Sequence, residues 1–189
     1  MKDRIRPSGP ADWTGEVAEI LRNVTPASES PDGHGPPNIL FTVGHHPALL
    51  SPFLAFSSAI ALRGVLTRRD SELLALRAAW NCGSPFEWGH HVEYGVAEGL
   101  SQAEIEAITE GPAAAVWSDA DRLLLRAADV LHERQDWPDD LYGEISAAYS
   151  PAEIVEITFV VGQYTMLSMV ANATGVPLEQ RLPAMPARE

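Results

Sequence analysis

Residues 72–108 read ELLALRAAWNCGSPFEWGHHVEYGVAEGLSQAEIEAI, and this stretch decides the fold. Two segments of helical length meet at Cys82-Gly83. The second opens with Ser84-Pro85-Phe86-Glu87: a capping serine, a proline at the first helical position and a glutamate three residues after the cap. So short a joint requires the two helices to run back on one another. Gly99 sits where a helix ends, and Ser101-Gln102-Ala103-Glu104 repeats the capping pattern without the proline. No run of alternating β-branched residues interrupts the stretch, so strands are not expected.

Working outward, the same signals predict helices over 12–24, 38–44, 47–63, 68–82, 85–98, 102–109, 119–134, 139–148 and 151–174. Ser150-Pro151-Ala152-Glu153 opens the last of these and Gly175 closes it. Residues 25–37, TPASESPDGHGPP, read as a loop. Phe41, Leu49, Leu50, Phe53, Leu54 and Phe56 are expected in the core. There is an internal echo: LLALRAAW (73–80) precedes the first Ser-Pro-x-Glu helix, and LLLRAADVL (123–131) precedes the second. Two packed helical hairpins plus N-terminal helices give an all-α, compact bundle. The expected organisation is an N-terminal helix and loop over 1–37, a helical domain over 38–182 and a tail over 183–189. The helix from 151 is apolar nearly all round, which predicts full burial. The helices 85–98 and 151–174 are expected at the centre.

Composition narrows the function. The chain has 189 residues, 46% hydrophobic and 21% charged, enough to bury a core. Its formal net charge of −13 argues against nucleic acid or an anionic membrane as partner. Cys82 is the single cysteine, so no intrachain disulfide or multi-cysteine metal site can form. MKDRIRPSGPADW lacks the apolar core of a signal peptide, and the apolar stretches 53–62 and 154–161 are too short to span a bilayer. The expectation is cytoplasmic.

The chemically loaded segment is Ser84 to His91. Residues four apart share a helix face, so Glu87 and His91 stand together, with Ser84 one turn earlier and Tyr94 near the same stripe. The antiparallel helix before can bring Glu72 or Leu76 beside them. A carboxylate raises an imidazole pKa, and the pair then suits acid/base work. Two readings of Glu87 stand: acid/base group, or simply the third residue of the capping box holding the Ser84 N–H. Trp88 and Trp80 are either plain core or the wall of a dry pocket. Glu87-Trp88-Gly89-His90 has the Glu-x-x-His spacing of di-iron bundles, but no second pair occurs, so no metal is expected. His46, before Pro47, reads as a cap or as a pocket wall. Arg63, Arg77 or His46 could hold a substrate carboxylate.

The quoted stretch, and 36–180 more broadly, resembles the carboxymuconolactone decarboxylase / alkylhydroperoxidase D-like family. It is most similar to a branch marked by an aromatic residue, Glu, Trp, two variable residues and His: here Phe86-Glu87-Trp88-Gly89-His90-His91. The resemblance implies that fold and a homo-oligomer (dimer, trimer or hexamer). Peroxidase members carry a Cys-x-x-Cys at the start of the site helix, where the helix N-terminus lowers thiol pKa. By position those cysteines fall on Ser84 and Glu87, the relay Glu on Glu72 and the His on His91. The chain thus keeps the proton-handling positions and has lost both thiols.

Three expectations follow. The first is a cofactor-independent acid/base enzyme, a decarboxylase, lyase or isomerase, on a small oxygenated cyclic acid or lactone. Glu72, Glu87 and His91 would be catalytic, and Ser84, Trp88, His46 and Tyr164 would bind substrate. The second is an alkylhydroperoxidase-like enzyme, disfavoured by the missing thiols. The third is a non-catalytic helical binding protein.

Overall fold

The computed structural model describes residues 4–9, 11–24 and 36–188. The loop expected over 25–37 lies outside the described residues as far as residue 35. Among the described residues every regular element is a helix: α1 (Gly15–Val24), α2 (Asn38–Val43), α3 (Pro47–Arg63), α4 (Arg68–Asn81), α5 (Pro85–Ala97), α6 (Gln102–Ala107), α7 (Asp119–Arg134), α8 (Asp139–Ala148) and α9 (Pro151–Thr174).

Five helix starts, those of α4, α5, α6, α7 and α9, are fixed by small polar caps. Ser101 closes a full capping box with Glu104, and Ser150 closes one with Glu153. A further box at Ser118 uses Asp121 rather than a glutamate, which hid it from the sequence pattern. Thr67 caps α4 by accepting from the Asp70 N–H at 3.1 Å. Gly83, at φ +58°, reverses the chain between α4 and α5.

The centre of the bundle is α4, flanked by α5, α7 and α9. This differs from the sequence expectation, which placed α5 and α9 at the centre. Leu73, Leu74, Ala75 and Leu76 of α4 have no exposed surface, so this helix is enclosed on all sides. Truncating one of these leucines to alanine costs about 2–5 kcal/mol, from lost transfer energy and the cavity left behind. A second apolar cluster joins α1, α2 and α3: Trp13, Leu21, Leu40 and Leu50 pack with Phe86, Leu167 and Ala171. The space between these two clusters holds the candidate site.

Three expectations need correction. Helix α9 is not wholly buried: Ile157, Val160 and Val161 face inward, whereas Val155, Phe159, Met166 and Met169 are exposed. It is also a single 24-residue helix, long and apolar enough to cross a membrane by length and composition alone, yet here it packs along α4, α5 and α7. In α3, Leu49 is 54% exposed, not core, while Leu50 is fully buried.

The segment after α9 runs back over α5. A Cβ on Gly89 would lie 2.7 Å from Leu178 and 3.0 Å from the Pro183 carbonyl, so glycine permits this close crossing. Leu182 is buried, Met185 packs on the main core, and the Arg188 guanidinium lies over the Trp80 ring. Residues 183–188, set apart as a tail in the sequence, therefore lie against the bundle.

Candidate active site

The tight α4–α5 turn brings Glu72 and His91 into contact. Glu72 Oε2 and His91 Nδ1 are 2.6 Å apart, both groups almost wholly buried. The other Glu72 oxygen accepts from Arg68 Nη2 at 2.7 Å, one helical turn earlier on α4. On the far side of the imidazole, Nε2 is 3.6 Å from Glu87 Oε2, an ion-pair contact too long for a hydrogen bond. The order is Arg68, half-exposed at the outer end, then the buried Glu72, His91 and Glu87.

Glu87 does not close a capping box. The Ser84 N–H already donates to the Ala79 carbonyl at 3.0 Å. The Ser84 hydroxyl accepts from the Glu87 N–H, so Ser84 caps the helix while the Glu87 carboxylate turns inward. Glu87 Oε1 is buried with no hydrogen-bond partner. Buried polar atoms are nearly always satisfied, so an exception marks a place where a ligand or water belongs.

Burial pulls the His91 pKa down, because it penalises the charged ring. The charge and hydrogen bond of Glu72, with Glu87 beside the other nitrogen, outweigh that and carry it up to about 9. His91 is therefore an imidazolium at neutral pH. The Tyr164 ring meets His91 edge-on at 4.2 Å, and burial together with Glu72 and Glu87 holds its phenol well above the usual range. Tyr164 is a fixed neutral wall.

Arg68, Glu72, Glu87, His91 and Tyr164 line a partly open cavity of about 300 Å³, whose lining also includes apolar side chains such as Phe53, Leu54 and Phe86. Of the residues named from the sequence, the structure thus brings Glu72, Glu87, His91 and Tyr164 together. Ser84 is buried beneath the helix start and does not line the cavity. Trp88 packs against Trp80 in the main core, and His46 is exposed before α3, so neither reaches it. Arg77 is engaged by Asp129 and the Ile108 carbonyl, and Arg63 lies exposed at the end of α3, outside the cavity. The Glu87-x-x-His90 spacing does not form a pair either: His90 Nε2 meets Glu179 at 2.9 Å. Among the described residues no group of three or more His, Cys, Asp or Glu side chains could hold a metal ion.

Three wall residues were missed. Arg68 stands four before Glu72, a spacing open to reading as a helical ion pair. Gln163 is a lone amide in the apolar run of α9, and its Oε1 is buried without a partner. His90, set aside with the metal spacing, lines the cavity too. Its partner Glu179 gave no local signal, because the contact spans 89 residues.

Cys82 lies apart from this cluster. Its thiol sits 3.8 Å from His132 Nδ1, and burial pushes its pKa up, against the needs of a nucleophilic thiolate.

The fold has solved relatives. A peroxidase-related protein with an AhpD core from Ralstonia eutropha JMP134 superposes with a TM-score of 0.80 at 14% identity, over 94% of this chain and 92% of that one. The debrominase Bmp8, in a variant complexed with 2,3,4-tribromopyrrole, gives 0.73 at 18%, over 89% and 90%. A protein of unknown function from Agrobacterium tumefaciens gives 0.68 at 24%, over 73% and 95%. At these identities the likeness establishes the AhpD-like fold and not the reaction. No curated protein matches the chain. A family model does match, that of the carboxymuconolactone decarboxylase family, across residues 47–130, the span that holds Arg68, Glu72, Glu87 and His91.

Proposed function

We propose that this chain is a cofactor-independent acid/base enzyme, a decarboxylase, lyase or isomerase acting on a small oxygenated ring compound. One observation carries the reading: a buried imidazole held between two carboxylates at the wall of a largely apolar cavity. Glu87 has a free carboxylate oxygen and takes a proton from a carbon beside a carbonyl. His91, anchored through Nδ1 to Glu72, directs Nε2–H toward the negative charge that develops on the carbonyl oxygen. Returning the proton to the same carbon exchanges it, and returning it to another carbon isomerises the ring. If CO₂ leaves instead, the C–C electron pair passes into the carbonyl and an acid delivers the proton to carbon. Such proton transfers contribute about 10²–10⁴-fold to a rate.

The charge of the wall narrows the substrate. Arg68 and His91 are both engaged by Glu72, so no unpaired cation remains among these groups for a substrate carboxylate. That favours a lactone or other neutral ring over a free acid, and with it proton transfer or isomerisation over loss of CO₂. A thiol peroxidase reading has little support, since the single cysteine lies outside the cavity with a raised pKa. The cytoplasmic setting expected for a disulfide-free chain is kept.

The test is hydrogen exchange by NMR in D₂O with neutral γ-lactones and a carboxylated lactone. Deuterium should enter at the carbon beside the carbonyl of the neutral rings. No exchange and no CO₂ release with either class, alongside thiol-dependent peroxide consumption, would reverse the reading in favour of peroxidase.

A homo-oligomer belongs to the same reading. The exposed side chains Val155, Phe159, Met166 and Met169 of α9 form an apolar face of the kind that marks an interface. Phe159→Asp should lower the mass seen by light scattering. A wild-type monomer at micromolar concentration would count against the assembly.

A further inference from the structure

We infer that the site selects a ring carrying hydrogen-bond donors, hydroxyl groups above all, and that Glu179 is the positioning residue that sets this preference through His90. The inference rests on the active-site reading above and names the substrate class for that site.

The wall residues Glu87 and His90 stand one turn apart on α5, each with a buried polar atom that no protein group satisfies: Glu87 Oε1 and His90 Nδ1. A carboxylate oxygen can only accept. The polarity of His90 Nδ1 is decided by its other nitrogen, since a neutral imidazole donates from one and accepts at the other. His90 Nε2 lies 2.9 Å from Glu179 Oε2. A carboxylate there takes the Nε2 hydrogen and leaves Nδ1 as an acceptor. Two adjacent acceptors without donors ask the ligand for two donors. Gln163, with its own unpartnered oxygen, adds a third acceptor while its Nε2 donates to Ser57 Oγ at 2.8 Å. Ile39, Leu40, Phe53, Leu54, Phe86 and Leu167 add apolar lining that suits the carbon faces of a ring.

Glu179 is well placed to fix this arrangement. Its other oxygen accepts the Asn38 N–H at 2.7 Å, at the start of α2, whose Ile39 and Leu40 also line the cavity. One carboxylate thus joins the segment after α9, the site helix and the α2 wall. Its pKa is pushed up by burial and down more strongly by the His90 and Asn38 hydrogen bonds, and it ends below the usual carboxylate range. It acts as a stable acceptor. In Glu179→Gln, the amide oxygen can keep Asn38 and its NH₂ then faces His90 Nε2. That arrangement forces the opposite tautomer and turns Nδ1 into a donor.

The experiment measures binding of three probes by calorimetry at pH 7.5: catechol, 1,2-dimethoxybenzene and benzoate. Catechol should bind at least about tenfold more tightly than its dimethyl ether, the size of one to two net hydrogen bonds. Glu179→Gln should shrink that ratio by about fivefold or more, and ¹⁵N NMR should show His90 change from the Nε2–H to the Nδ1–H tautomer. An ether or benzoate that binds as tightly as catechol overturns the proposal. So does a wild-type His90 that carries hydrogen on Nδ1, which is read without any variant and so does not depend on Glu179→Gln folding. Donor-selective binding with no hydrogen exchange on any ring substrate would leave this inference standing and defeat the acid/base function instead.

Discussion

Helices α5 and α9 begin with the same pattern, Ser84-Pro85-Phe86-Glu87 and Ser150-Pro151-Ala152-Glu153, and use the glutamate in opposite ways. In α9 the Glu153 carboxylate accepts the Ser150 N–H at 2.8 Å and stays near the surface, half-buried. In α5 the Ser84 N–H is already taken by Ala79, because α4 ends one turn earlier and Gly83 reverses the chain. Glu87 is released from capping, buried, and turned toward His91. A local motif thus settles where a helix begins, while the backbone partner available at the turn settles what the third residue does. The same contrast holds along the two helices: α5 buries charge against α4, whereas α9 leaves apolar side chains exposed.

The largest expected effect tests the α5 side. His91→Ala should lower the hydrogen-exchange rate by about two to four orders of magnitude with the helical circular dichroism retained. A rate near wild type would leave α5 a structural helix like α9.

Next comes the direct comparison of the two glutamates. Glu87→Gln should abolish most exchange and alter the melting temperature little, since its carboxylate caps nothing. Glu153→Gln should leave exchange intact and produce a small fall in melting temperature. If both variants behave alike, the distinction between the two helix starts is wrong.

A third effect is on stability against pH. The His91 pKa is raised from 6.5 to about 9 in the folded protein, so the folded state retains a proton that the unfolded chain releases. This contribution is complete below about pH 6.5 and is lost as pH rises through about 9. Urea midpoints should fall across that window in the wild type and fall less in His91→Ala. Equal slopes would show that Glu72 and Glu87 do not hold the proton there.

The smallest effect concerns the turn that frees Glu87. Cys82→Ser should leave exchange nearly unchanged, because the thiol faces His132 rather than the cavity. Complete loss of activity with an intact fold would revive thiol chemistry.

Much of the fold was legible in the sequence. Every helix was anticipated, and α3, α7, α8 and α9 have the expected ends, because caps, prolines and terminal glycines act within a few residues of where they stand. The pairing of Glu87 with His91 was legible too, through i,i+4 spacing, while Glu72 was singled out by the family resemblance and not by the turn alone. Reading Trp88 or His46 as wall was a question of orientation. Trp88 sits on the same helix as the site but faces the opposite core, and nothing in its local sequence fixes that.

Local sequence alone was enough for the helical pattern, the single cysteine and the shared face of Glu87 and His91, all consequences of short-range geometry and residue chemistry, while the pairing of Glu72 with His91 was implied by the family resemblance. Long-range packing set the rest: α4 is the enclosed centre, one face of α9 stays exposed, Arg68 pairs with the buried Glu72 from the outer side, and Glu179 reaches back to His90 and Asn38. Those outcomes depend on which surfaces exclude water from one another across long stretches of chain, and a local pattern carries no record of them.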